Sequence, residues 1–143
     1  MLPIVLTMTL GLLLGRVYPT DPESPNGQLM RASRKGDIVA VRRCFLNFKV
    51  SEMDTESALD AASAHARFDV VKFLVSIGAK KLDSALLSAV AMDDARIVGF
   101  LISHERPHPA ENVQNAHTLA SSFGSLNAEW TLARHLLDKN LQF

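Results

Sequence analysis

The chain has 143 residues, enough for one domain, and its 48% hydrophobic and 21% charged residues are typical of a folded globular protein rather than a disordered one. Its 15 basic residues are balanced by 15 acidic ones, and only 6% of the residues are aromatic. A nucleic-acid-binding domain would carry an excess of positive charge and aromatic rings on which bases stack. We therefore expect no nucleic-acid partner.

Residues 1–17 form an apolar segment that reads MLPIVLTMTLGLLL from Met1 to Leu14. It is shorter than the roughly 20 residues that cross a bilayer, so no stable membrane insertion is expected. Its length fits the apolar region of a secretory signal peptide, but a basic start and a small-residue cleavage site are missing. The alternatives are a signal peptide, a helix packed on the following domain, a misassigned start, or a membrane anchor. The sequence therefore leaves the localisation open between cytoplasmic and, if this segment is a cleaved signal peptide, secreted.

Residues 18–27 are rich in proline and are predicted to be a linker, and residues 28–143 are predicted to form a repeat domain. Within that domain a small residue recurs at Ala32, Ala62, Ala89 and Ala120, with separations of 30, 27 and 31 residues. Each of these alanines lies in a short helical pattern that is followed by a second, more apolar one, such as Val70-Val71-Lys72-Phe73-Leu74. Recurrence at this spacing predicts stacked helical hairpins that share one core.

Turn residues agree with this prediction. Gly36, Gly78 and Gly124 follow helical stretches, where a left-handed residue ends a helix. Near candidate helix starts, where a carboxylate can accept a backbone N–H and meets the positive end of the helix dipole, stand Asp37, Asp69, Asp83 and Asp94. Pro107 and Pro109 predict a loop between the third and fourth units. No strand pattern competes, so the predicted fold class is all-α.

Cys44 is the only cysteine, which excludes an intramolecular disulfide. Its apolar neighbours favour a role as a small core residue over a reactive or metal-bound thiol. His104 and His108 lie at a helical spacing, but the prolines between and after them and the missing further ligands favour a surface loop over a metal site. We expect no metal, no cofactor and no enzymatic activity, because no catalytic constellation can be placed in one site.

The second unit contains Ala58-Leu59 with Ala62, then Val70-Val71-Lys72-Phe73-Leu74, and then Gly78-Ala79. This pattern resembles the ankyrin repeat. The resemblance covers about Gln28 to Asn140 and departs from the family pattern, since no unit keeps the Thr-Pro opening or its histidine and the spacings are shorter than 33. It implies an ankyrin-like solenoid of about four stacked helix-turn-helix repeats with trimmed loops.

The resemblance also implies a monomeric protein-interaction module that binds another protein through the concave face of its inner helices. The residues that it places on that face are Arg31, Arg34, Asp60 and His65. Arg31, Arg34 and Lys35, followed by Arg42 and Arg43, form a basic patch that either meets an acidic partner or is the solvated face of an end repeat. Two other readings stay open: a secreted, effector-like ankyrin protein with a cleaved signal peptide, and a fragment of a longer ankyrin protein.

Overall fold

The computed structural model describes residues 24–104 and 110–140, and these ranges contain eight α-helices and no strand. The helices are α1 (Pro25–Lys35), α2 (Ile38–Asn47), α3 (Glu52–Ala64), α4 (Phe68–Ser76), α5 (Leu82–Ala91), α6 (Ala95–Ser103), α7 (Ala110–Phe123) and α8 (Leu126–Asn140). The all-α prediction is confirmed for these residues.

The predicted N-terminal segments are only partly described. Residues 1–17 and 18–23 lie outside the described residues, as do Pro107, His108 and Pro109. The last residues of the predicted linker are helical, because α1 begins at Pro25 rather than at residue 28. The Ser24 hydroxyl accepts a hydrogen bond from the Gly27 amide at 3.0 Å, and a proline suits the first helical position because its missing N–H would have had no partner there.

The eight helices form four pairs: α1–α2, α3–α4, α5–α6 and α7–α8, numbered here as the first to fourth pair. The two helices of each pair pack against one another, each odd-numbered helix packs on the next odd-numbered one, and each even-numbered helix packs on the next even-numbered one. The four pairs therefore pack in chain order.

Each pair turns from its first to its second helix in the same way. The carbonyl oxygens of Ala32, Ala62, Ala89 and Ala120 accept hydrogen bonds of 3.0, 2.9, 3.1 and 2.9 Å from the amides of Asp37, Arg67, Asp94 and Ser125. The residues just before these donors, Gly36, Ala66, Asp93 and Gly124, have left-handed backbones with φ of 77, 55, 52 and 67°. A left-handed residue lets the chain satisfy the last carbonyls of a helix before it turns. The alignment predicted from the four alanines is thus confirmed, although only two of the four turns use glycine.

The fourth pair is more regular than its sequence indicated. Its first helix begins at Ala110, well before the predicted start near Thr118, and its second begins at Leu126 rather than near Glu129. Val113, Ala116 and Ala120 are all buried, so one apolar face continues along α7.

The core runs through the whole array between the odd- and even-numbered helices. Leu74, Leu101 and Leu132 occupy equivalent positions, each twelve residues after the aligned alanine, and all three are 0% exposed. Cys44 takes the same position in the first pair and is buried, which confirms its predicted packing role. Burial raises the pKa of the Cys44 thiol above its usual value, and the nearby positive charge of Arg43 partly opposes this shift.

Candidate interaction surface

The odd-numbered helices present a row of side chains that the core does not use. We call this surface the inner face and define it by the three residues that lie two before, two after and three after each aligned alanine. Its members are exposed or half-buried in all four pairs. They are Met30, Arg34 and Lys35; Asp60, Ala64 and His65; Leu87, Ala91 and Met92; and Thr118, Ser122 and Phe123.

The inner face changes character along the array. In the first pair it carries the exposed cations Arg34 and Lys35. In the third and fourth pairs it carries Leu87, Met92 and Phe123, which are 40%, 49% and 61% exposed. The surface is therefore cationic at one end and apolar at the other.

Residues 24–50 make the cationic end stronger than the neutral net charge indicates. This segment holds six basic residues and only one acidic residue, Asp37. The Asp37 carboxylate is itself engaged at the start of α2, where it accepts a hydrogen bond from the Ala40 amide at 3.0 Å. The side chains of Arg31, Lys35 and Arg43 line a groove at the outer end of the first pair.

Three of the four predicted site residues are exposed, as a partner contact requires. Arg34 belongs to the inner face, whereas Arg31, three residues earlier on α1, lies outside the positions that define that face and lines the groove at the outer end of the first pair. His65 directly follows the last residue of α3, and its Nδ1 lies 2.8 Å from the Ala61 carbonyl oxygen. Since a carbonyl can only accept, Nδ1 donates this hydrogen bond and the ring orientation is fixed.

The fourth predicted residue, Asp60, is half-buried and links two pairs. Its Oδ2 accepts a hydrogen bond of 2.8 Å from the Ser84 hydroxyl on α5, while its buried Oδ1 has no hydrogen-bond partner among the described residues. Burial raises the pKa of the Asp60 carboxyl, the neighbouring Glu56 raises it further, and the Ser84 hydrogen bond opposes both. The structure thus gives Asp60 a role between helices, which the sequence did not indicate.

Sequence reasoning missed the apolar part of the inner face. Met92 and Phe123 occupy the position of His65 in their own pairs, and Lys35 occupies it in the first pair. Carrying each predicted site residue through the alanine alignment would have identified them. The repeat spacing, rather than any local motif, indicates that these residues lie on the inner face.

The loops that connect the first three pairs are short. Residues 48–51 and 77–81 connect the first three pairs. Charged side chains tie the second of these loops back to α3, since Lys80 lies 3.0 Å from Glu52 and Lys81 lies 3.3 Å from Glu56. These exposed ion pairs contribute little stability, but they occupy the charges at this place.

Within residues 24–104 and 110–140, no cluster of three or more histidine, cysteine, aspartate or glutamate side chains could hold a metal ion. None of the helices in this part of the chain is both long and apolar enough to span a bilayer. Comparison of the chain with family models, curated proteins and solved structures gave no match.

Proposed function

We propose that the chain is a non-catalytic, ankyrin-like interaction module that binds another protein through its inner face and needs no cofactor. The observation that carries the proposal is the inner face itself, a set of equivalent side chains left open on all four odd-numbered helices. Arrays of helix pairs offer such extended surfaces because each pair buries its core against its neighbours and leaves one face free.

Three features support the ankyrin-like part of the proposal. The helix pairs pack in chain order, the same left-handed turn follows each aligned alanine, and Gly78 ends the second helix of the second pair with a φ of 107°. The loops between pairs are short, which matches the trimmed loops expected from the repeat spacing. A partner would therefore contact the odd-numbered helices more than the loops.

The charge distribution indicates the chemistry of the partner. Arg34 and Lys35 favour carboxylates opposite α1, and the exposed Leu87, Met92 and Phe123 favour an apolar surface opposite α5 and α7. Charges at the edge of an interface mainly accelerate association and select orientation, whereas buried apolar side chains supply most of the affinity. We infer a partner whose surface is acidic at one end and apolar at the other.

The proposal is tested by crosslinking capture and mass spectrometry with matched variants of the full chain. The double variant Arg34→Glu/Lys35→Glu should lose a captured partner, and Met92→Ser should weaken the binding of the same partner about tenfold. Lys139→Glu, an exposed charge reversal on the outer helix α8, is the control and should leave binding unchanged.

Circular dichroism must show that the variants fold, so that lost binding is not lost structure. Equal capture by the wild type and both inner-face variants would contradict the proposal. So would turnover of a small molecule by the purified chain.

A further inference from the structure

The fourth pair, the last among the described residues, carries large apolar side chains in solvent. Leu126 and Trp130 on α8 are each 71% exposed. An exposed apolar patch of this kind on a folded domain often marks an interaction site. These residues are not part of the inner face, so the proposed function does not account for them.

Three of the equivalent residues in earlier pairs lie in the interfaces between pairs. Phe68 occupies the position of Leu126, and its ring packs edge-on against Phe100 with ring centres 5.8 Å apart. Arg42, Lys72 and Gly99 occupy the position of Trp130, and of these Lys72 lies over the Phe68 ring of its own pair, 4.6 Å from its centre. The Arg42 guanidinium lies 5.4 Å from the centre of the Phe73 ring, and a Cβ on Gly99 would lie 3.7 Å from Cγ2 of Thr131.

The residues contacted in these interfaces share one equivalent position. In each interface, the contacted residue belongs to the later of the two pairs and lies eleven residues after the aligned alanine of its own pair. These residues are Phe73, Phe100 and Thr131. Leu126 and Trp130 therefore flank the place that this residue of a fifth pair would occupy. No fifth pair exists among the described residues.

The first pair carries a suitable residue at this position, namely Arg43, which is exposed and lines the groove at the opposite end of the array. The chain already places guanidinium groups on rings between neighbouring pairs. Arg96 of the third pair lies 5.7 Å from the centre of the Phe68 ring of the second, which is the same direction along the array. Tryptophan is the best aromatic partner for such a cation.

We propose that two copies of the chain associate head to tail, with the first pair of one copy packed on the fourth pair of another and Arg43 lying on the Trp130 ring. The charges agree, because residues 24–50 carry an excess of basic residues whereas residues 110–140 carry three acidic and two basic ones. The surface of the first pair differs from that of the fourth pair, so a dimer keeps one unoccupied first pair and one unoccupied fourth pair. Further copies can bind to these, and association continues beyond a dimer. This arrangement differs from the monomer expected from the sequence.

Sedimentation velocity of the full chain tests the proposal between about 1 μM and about 1 mM, a range that covers weak association. The average mass of the wild type should rise with concentration. Trp130→Ala and Arg43→Glu should each weaken association about tenfold or more, because each removes the contact between ring and cation. Leu46→Ala removes an exposed apolar side chain that is 85% exposed on α2, and this control should associate like the wild type.

Mixing the two variants distinguishes head-to-tail from symmetric association. Trp130→Ala keeps an intact first pair and Arg43→Glu keeps an intact fourth pair, so an equimolar mixture should form dimers that cannot extend. A tail-to-tail dimer would instead leave Arg43→Glu associating like the wild type, and this result would overturn the proposal. A wild type that stays monomeric over the whole range would also overturn it. Either outcome leaves the inner-face proposal intact, since that surface is tested by other variants.

Discussion

Two features of the turn at Gly36 favour glycine, a left-handed backbone and a close contact with Arg67, and mutation can separate their effects on stability. The Gly36 φ of 77° is left-handed, and an added Cβ would lie 2.8 Å from Cδ of Arg67, whose Nε donates a 2.8 Å hydrogen bond to the Arg34 carbonyl oxygen. Gly124 has a similar φ of 67° but nothing within 4 Å of the corresponding Cβ. The two glycines therefore share a left-handed backbone, but only Gly36 has a neighbouring side chain, that of Arg67, in the place of a Cβ.

The expected costs follow from this difference. Gly124→Ala should lower the free energy of unfolding by about 1–2 kcal/mol, the cost of a left-handed backbone for a residue with a Cβ. Gly36→Ala should lower it by about 2–3 kcal/mol, because the Arg67 side chain must also move and its hydrogen bond is worth about 0.5–1.5 kcal/mol. Urea unfolding followed by circular dichroism measures both values.

A double-mutant cycle with Arg67→Ala isolates the contact. In the Arg67→Ala background, Gly36→Ala should cost about as much as Gly124→Ala, roughly 1–2 kcal/mol, because only the backbone term is left. If the two glycine variants cost the same in the wild-type background, Arg67 does not pack against Gly36 as described. The reasoning about this turn would then be refuted.

Three further predictions concern the core and the pairs' interfaces. Leu74→Ala should cost about 2–5 kcal/mol in urea unfolding, since Leu74 is 0% exposed, and a negligible loss would contradict the shared core. Ser63 is 0% exposed, and its hydroxyl has no hydrogen-bond partner within the part of the chain that the structure describes. Val90 fills the equivalent position in the third pair, so Ser63→Val should leave stability unchanged or raise it by about 1 kcal/mol. A large loss of stability would show that the hydroxyl is satisfied. The pKa of Asp60 is raised in the folded state, so protonation of this carboxyl stabilises the fold at low pH. This contribution to the free energy of unfolding is lost as the pH rises from the unfolded-state pKa through the folded-state pKa. Asp60→Asn should therefore gain stability relative to the wild type between acid and neutral pH in urea titrations, and a difference that does not change with pH would contradict the shift.

Local patterns made the helix pairs predictable. A small residue followed six positions later by a new helix start requires only short-range contacts, and these determine the turns at Ala32, Ala62, Ala89 and Ala120. The apolar spacing of Val70, Val71 and Leu74 likewise predicts a buried helix face from local sequence. Glycine was an incomplete guide, because Ala66 and Asp93 take the left-handed position in two turns.

The environment of single side chains could not be predicted in the same way. Asp60 was expected on an open face, but Ser84 on the next pair binds it, and no local pattern states which residues of α5 lie opposite α3. Asp93 gives a second example, since its Oδ1 accepts a 2.9 Å hydrogen bond from the Ala128 amide, 35 residues later. Such contacts depend on how far successive pairs are rotated, which the repeat spacing does not specify.

The neutral net charge of the whole chain also gave an incomplete picture of its surface. Acidic residues of α3 are engaged locally, because Glu52 and Glu56 pair with Lys80 and Lys81. Charges farther apart than the screening length of about 8 Å at physiological ionic strength hardly compensate one another on a protein surface. The basic residues of the first pair therefore act on an approaching partner as a local positive charge. Under the proposed function, a partner that meets the first pair therefore meets a positive charge, even though the sum over the chain is zero.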